Sequence, residues 1–339
     1  TFNSVFGTTL NPYDLSKTCG GSSGGGAVAL ATGMVALADG TDLGGSLRNP
    51  ANFCNLVGMR PSVGRVPTWP EQLGWYTMSV AGPMARSVKD LALMMSVLSG
   101  PDDRSPIALE SPGSIFHTPL QRNFKGCKVA YSEDLGGLPL EPEVRTVMRA
   151  AREIFERLGC EVIDDEIDLN EAGEIFMMWR AWRTELRIAP LLTSHKDQLK
   201  DTVIWNAEQG VGLTGPQMAR AEAKRTEIYH RMREFMNTYK FFVLPVNQVV
   251  PFSVDLDYPR EINGVKMETY IDWQKTAYFI SAMGNPAISV PAGFTDSGLP
   301  VGVQIVGGHR QDLAVLQMAY AFEQVTQFGL QRPAICTVA

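Results

Sequence analysis

A chain of 339 residues with 45% hydrophobic and 19% charged side chains has ordinary globular makeup, enough for one large domain or two moderate ones. Its net charge of −6 offers no basic face to nucleic acid or to an anionic membrane, and no apolar run reaches membrane-spanning length. Five scattered cysteines, Cys19, Cys54, Cys127, Cys160 and Cys336, lack C-x-x-C spacing, which argues against a disulfide framework or a zinc site and for reduced thiols in the cytoplasm.

The opening Thr1-Phe2-Asn3-Ser4 is no targeting signal and reads as the interior of a longer folded unit. Residues 1–20, with Asn11-Pro12 and Asp14, read as loop. Ser23 or Gly24 then starts a helix of small residues predicted to run through Ala38 and to be buried all round. Residues 39–85, rich in Gly, Pro and Asn, read as one long irregular segment of the kind that carries function.

Ser87 has the chemistry of an N-cap for a helix with Val88, Leu91, Ala92, Met95 and Leu98 on one face. The run Cys127-Lys128-Val129-Ala130-Tyr131 predicts a strand. A helix follows with Pro142 in its first turn and Gly159 at its end, then a second strand, Cys160-Glu161-Val162-Ile163-Asp164. That is a βαβ unit. It sets the expected fold class: α/β, with a mixed, largely parallel central sheet covered by helices on both faces.

Residues 170–238 read as mostly helical, and Phe241-Phe242-Val243-Leu244-Pro245 as a buried strand. A strand pair is predicted around the turn Asp296-Ser297-Gly298, from Ala287-Ile288-Ser289-Val290-Pro291 and Val301-Gly302-Val303-Gln304-Ile305-Val306. The last helix, 312–327, is expected to pack through Leu313, Leu316, Ala319, Tyr320 and Val325.

Two serine-bearing glycine clusters stand out: Gly20-Gly21-Ser22-Ser23-Gly24-Gly25-Gly26 and Gly40-Thr41-Asp42-Leu43-Gly44-Gly45-Ser46. Glycine backbone approaches a substrate closely and aims several N–H groups at one point, while serine supplies a nucleophile that needs a base. A flexible linker is disfavoured by the apolar, non-repetitive flanks. A dinucleotide turn through Gly24-Gly25-Gly26-Ala27-Val28-Ala29 lacks a preceding strand, and its acidic residue, Asp39 or Asp42, comes too early. No Lys-Ser or Lys-Thr follows the glycines to make a phosphate loop. A G-x-S-x-G nucleophile elbow also lacks its strand, and its triad would need one of the isolated residues His117, His195, His230 or His309.

The two clusters, with Arg48 after the second, resemble the amidase signature family, and Ser22 and Ser46 stand 24 positions apart as in that family. The likeness continues through Ala51-Asn52-Phe53-Cys54, Val57-Gly58-Met59-Arg60-Pro61-Ser62 and Gly82-Pro83-Met84-Ala85-Arg86-Ser87-Val88. It weakens between 165 and 279 and returns at Asn285-Pro286-Ala287-Ile288-Ser289-Val290-Pro291 and Gly298-Leu299-Pro300-Val301-Gly302-Val303-Gln304-Ile305. It implies a single domain over 1–339, lacking an N-terminal segment, with a variable helical substrate-pocket region at 165–285.

By that resemblance Ser46 is the nucleophile. Ser22, after a cis peptide, relays a proton to the leaving nitrogen. The backbone N–H groups of Leu43, Gly44, Gly45 and Ser46 form the oxyanion hole, and Ser23, Thr41, Asp42 and Arg48 support the loop. The family's base is a lysine in an earlier βα segment, upstream of Thr1. Lys17 is a poor substitute, because a lysine base must be desolvated and Lys17 sits in a polar stretch.

The implied reaction is hydrolysis of an amide or carbamate of a small molecule through an acyl-enzyme, without cofactor or metal, with a homodimer as the candidate assembly. Asp272-Trp273-Gln274-Lys275-Thr276-Ala277-Tyr278-Phe279 replaces the segment typical of the family's tRNA-dependent amidotransferase branch, which favours a stand-alone hydrolase. Met177, Met178, Trp179, Trp182, Trp205, Tyr270 and Trp273 fall in the variable part. Singly each reads as core, whereas together they point to an apolar or aromatic pocket, chiefly through Trp179, Trp182 and Trp273. The alternatives are a non-catalytic role and a glutaminase-type subunit working in a complex.

Overall fold

The computed structural model describes residues 1–336, in which one eight-stranded sheet is covered on both faces. In chain order its strands are β1 (Leu37–Asp42), β2 (Val57–Arg60), β3 (Val80–Ala85), β4 (Lys128–Tyr131), β5 (Glu161–Asp164), β6 (Phe241–Pro245), β7 (Ala287–Phe294) and β8 (Pro300–Gly307). They lie in the order β1-β3-β2-β7-β8-β6-β4-β5.

The sheet is mostly antiparallel, which corrects the expectation of a largely parallel one. Only β6–β4 and β4–β5 pair parallel. The crossover that makes a parallel pair is present once as a βαβ unit, β4 to β5 through the helix Pro142–Arg157. The β7–β8 hairpin instead closes through the short turn at Gly298, where φ is +80°, so its strands run antiparallel, from Ala287↔Val306 to Phe294↔Pro300.

Helices α1 (Gly24–Ala31), α2 (Arg48–Phe53), α3 (Val88–Leu98), α4 (Pro142–Arg157), α5 (Ala172–Ser194), α6 (Asp201–Val211), α7 (Gly215–Thr238), α8 (Lys275–Met283) and α9 (Asp312–Thr326) complete the framework. Alternation along the strands divides the core between two layers. Phe241, Val243, Val303 and Ile305 pack under α3, α4 and α9. Phe242, Leu244 and Val306 face α5, α7 and α8.

Several local expectations change. Residues 1–20 are not all loop, for Leu10–Asn11 and Asp14–Thr18 form a small hairpin. The first helix stops at Ala31 rather than Ala38, and Gly33 turns the chain at φ +81° into β1. The stretch 39–85 contains β1, α2, β2 and β3, ordered by burial of their backbone in the sheet rather than by propensity. In α9 Leu316 and Ala319 are buried as expected and Leu313 and Tyr320 pack half-buried on the core, but Val315, Met318 and Phe322 complete the buried face and Val325 is exposed. Ser87 does cap α3, accepting from the Asp90 N–H at 3.1 Å.

Candidate active site

Strand β1 delivers Asp42, fully buried, to the start of the second glycine cluster. Its carboxylate accepts from the Gly45 N–H at 2.9 Å and from Arg48 at 3.0 Å (Nε) and 2.8 Å (Nη2), while Arg60 from β2 stands 3.3 Å away. Arg48 reaches on to the Ala277 carbonyl and to Ser281 Oγ in α8, and to Gln304 in β8. Burial opposes charge on Asp42, yet Arg48, Arg60 and the Gly45 N–H outweigh it and hold the carboxyl well below the usual range. Burial dominates at Arg60 and brings its guanidinium down to about 10.

This clamp bends residues 43–46 into a turn that only glycine can follow. Gly45 sits at φ +117°, and a Cβ there would meet Ala277 Cβ at 2.8 Å. At Gly44 a Cβ would stand 2.6 Å from Phe176. The first cluster arrives from the small hairpin, turns at Gly20 with φ +72°, and passes through a cis Gly21–Ser22 bond into α1. The Ser23 N–H donates to the Ser46 carbonyl at 3.2 Å and ties the two clusters together.

Ser22 and Ser46 line two adjoining cavities, of 650 and 380 Å³, which also share Arg180, Tyr270 and Gln274. Thr41, Leu43 and Gly44 line the larger one. The Gly45 N–H, by contrast, is already donated to Asp42. Trp273 lines the smaller cavity, stacked at 5.8 Å on Phe53.

Trp179 and Trp182 line neither cavity. They sit on the flank of α5 that meets Tyr76, at 5.4 and 6.0 Å between rings, and Arg225 covers Trp179. The face of α5 toward the serines carries Phe176, Arg180, Arg183, Thr184, Arg187, Ile188 and Leu191. That stripe is visible as helical spacing in the sequence, although the tryptophans beside it drew the prediction away.

A short strand, Asp14–Thr18, does precede the first cluster, but it belongs to the small hairpin and not to the central sheet on which a nucleophile elbow sits. The base is missing too, since no histidine lines either serine cavity among the described residues. Of the lysines there, Lys200 lines the smaller cavity, is exposed, and gives its ammonium to the Phe2 carbonyl at 2.6 Å. Lys17 is bridged to Ser253 and lines neither. A separate cavity of 430 Å³, with Arg122, Arg233, Lys240 and His309, contains neither serine. Among the described residues, no helix is long and apolar enough to cross a membrane.

A family model for amidases matches residues 1–316. The chain belongs to the amidase signature family. It is 34% identical to an acylamidase of Rhodococcus erythropolis over 98% of its own length and 70% of the relative's. It is 30% identical to a glutamyl-tRNA(Gln) amidotransferase subunit of Synechococcus sp. (strain RCC307), over 100% of its length and 74% of that protein's. Among solved structures, a bacterial aryl acylamidase of the amidase signature enzymes superposes with a TM-score of 0.89 at 29% identity, covering 97% of this chain and 71% of that one. The 6-aminohexanoate cyclic dimer hydrolase shares the fold at TM-score 0.89 and 22% identity, covering 99% of this chain and 74% of the other.

Proposed function

We propose that this amidase signature chain hydrolyses the carbon–nitrogen bond of a small amide, acting alone and through an acyl-enzyme on Ser46. The observation that carries the reading is that Ser46 and Ser22 line the same two cavities where the two glycine clusters are tied together. Ser46 Oγ adds to the carbonyl carbon while its proton passes through Ser22 to the leaving nitrogen. The C–N bond then breaks to give the free amine and an ester on Ser46, and water cleaves that ester to regenerate the hydroxyl. The backbone N–H groups of Leu43, Gly44 and Ser46 receive the charge that develops on the carbonyl oxygen. The base is the family's lysine, a role for which the exposed Lys200 is unsuited. Phe176, Ile188, Leu191, Val203 and Ile271 give the larger cavity an apolar lining, which supports an acyl or aryl group on the substrate.

The test is labelling with a fluorophosphonate, read by mass spectrometry, alongside hydrolysis of an acyl anilide by the full-length protein. Wild-type protein is expected to carry the label on Ser46. Ser46→Ala should lose labelling and at least ~10³-fold in kcat. Turnover retained in Ser46→Ala would remove the assignment, and an unlabelled wild type would favour a non-catalytic role. The likeness to an amidotransferase component motivates a glutaminase arm: ammonia released from glutamine, with acyl anilides untouched, would replace the stand-alone reading.

A further inference from the structure

The larger serine cavity has an uneven charge. Arg180, Arg183 and Arg187 all line it, and among the described residues no acidic one does. The three fall at i, i+3 and i+7 on α5, one face of the helix, and extend about 10 Å along its axis at 1.5 Å per residue. Of the three, Arg180 alone lines both cavities, together with Ser22 and Ser46.

Their protein partners leave much of this charge unspent. Arg180 donates to the Tyr270 hydroxyl and lies 5.0 Å over that ring, yet its buried Nη1 has no acceptor. Arg183 pairs with Glu71 at 3.3 Å while its buried Nε has no acceptor. Arg187, exposed at the far end of the stripe, has no ion pair or hydrogen bond among the described residues. A buried guanidinium nitrogen without an acceptor is costly unless a ligand supplies one. The same cavity is lined by Phe176, one turn before Arg180, by Ile188 and Leu191, beyond Arg187, and by Val203 from α6, an apolar surface that suits a hydrocarbon spacer.

We propose that the Arg180–Arg187 stripe is a carboxylate-binding subsite, so that the substrate is an amide whose apolar spacer ends in a carboxylate. The planar guanidinium fork matches a carboxylate in bidentate geometry, and the spacer lies against the apolar lining of the same cavity that Ser46 borders. This rests on Ser46 as the reacting residue and sharpens the substrate class from apolar to amphipathic.

The experiment compares N-phenylsuccinamate, a carboxylate, with its uncharged methyl ester. Binding of both to full-length Ser46→Ala protein is measured by calorimetry, and turnover of both by the wild type. The carboxylate should bind the Ser46→Ala protein about ten- to a hundredfold more tightly than the ester and show a correspondingly higher kcat/KM in the wild type. Arg187→Gln should reduce that ratio, Arg180→Gln with Arg187→Gln should bring it close to one, and Arg187→Lys should restore part of it. Circular dichroism of each variant establishes that it is folded. Equal affinity for acid and ester, or a preference that survives the double substitution, overturns the subsite. Selective, arginine-dependent binding without turnover supports the subsite and counts against the hydrolase reading alone.

Discussion

At the scale of single residues, Asp42 orders the loop between β1 and α2 while lining neither serine cavity. It holds two fully buried arginines, Arg48 and Arg60, and through the Gly45 N–H it sets the turn that presents Ser46. Replacing it by the isosteric Asn leaves both guanidinium charges buried without a counterion. Asp42→Asn is therefore expected to lower stability by about 3–5 kcal/mol in urea unfolding. The same carboxyl should show in acid. Folding lowers its pKa, so the unfolded chain takes the proton more readily. Its contribution is complete above the ordinary carboxylate range and is lost as pH falls through the folded value. The acid limb of the stability profile should be shallower in Asp42→Asn than in the wild type.

At the scale of elements, the N-terminus of α3 joins two parts of the molecule. Ser87 caps it locally, while Glu323 of α9 accepts from the Val88 N–H at 2.8 Å. Burial, helped by Asp90, pushes the Glu323 carboxyl up to about 7 against its hydrogen bonds from the Val88 N–H and Gln324. Because the folded value is raised, the folded chain holds the extra proton between the ordinary glutamate value of 4.5 and about 7. Stability should decline as pH rises through that window. Glu323→Gln keeps the acceptor and removes the titration. It should flatten the decline and be more stable than the wild type at pH 8 by about 1–2 kcal/mol after discounting for partial exposure. Thermal unfolding from pH 4 to 8 measures both. The cap itself was legible, because Ser87 precedes a helical repeat of apolar residues; its partner was not, being 236 positions away in sequence from Ser87. Likewise the glycine clusters singled out Ser22 and Ser46, whereas on α5 the helical spacing was legible but not which face meets the cavity. The tryptophans met Tyr76, and the arginines, which sequence alone assigns to solvent, turned toward the serines.

At the scale of the whole molecule, sheet and site are joined by a chain of buried amides. Asn52 of α2 accepts from the Gly302 N–H in β8 and donates to Asn247, just past β6, at 2.8 Å. Asn247 donates in turn to Asn49 at 2.8 Å, and Asn49 to Gln274 at 2.6 Å, on the wall of both serine cavities. Four segments separated in sequence thus meet at the wall of the serine cavities. Local periodicity could find the strands but not this junction, which exists only once the mostly antiparallel order of the sheet brings β8 beside β6. Asn247 is 1% exposed, so Asn247→Leu removes one donor and one acceptor where water cannot replace them. It should cost about 2–4 kcal/mol in urea unfolding. Asn49→Ala cuts the same chain at the next link. If the amides act as one network, the double variant should lose less than the sum of the two single losses, by at least about 0.5 kcal/mol, whereas additive losses would make them separate contacts. Release of Gln274 should also raise KM more than it lowers kcat, because that side chain borders the space the substrate fills rather than the bond that breaks.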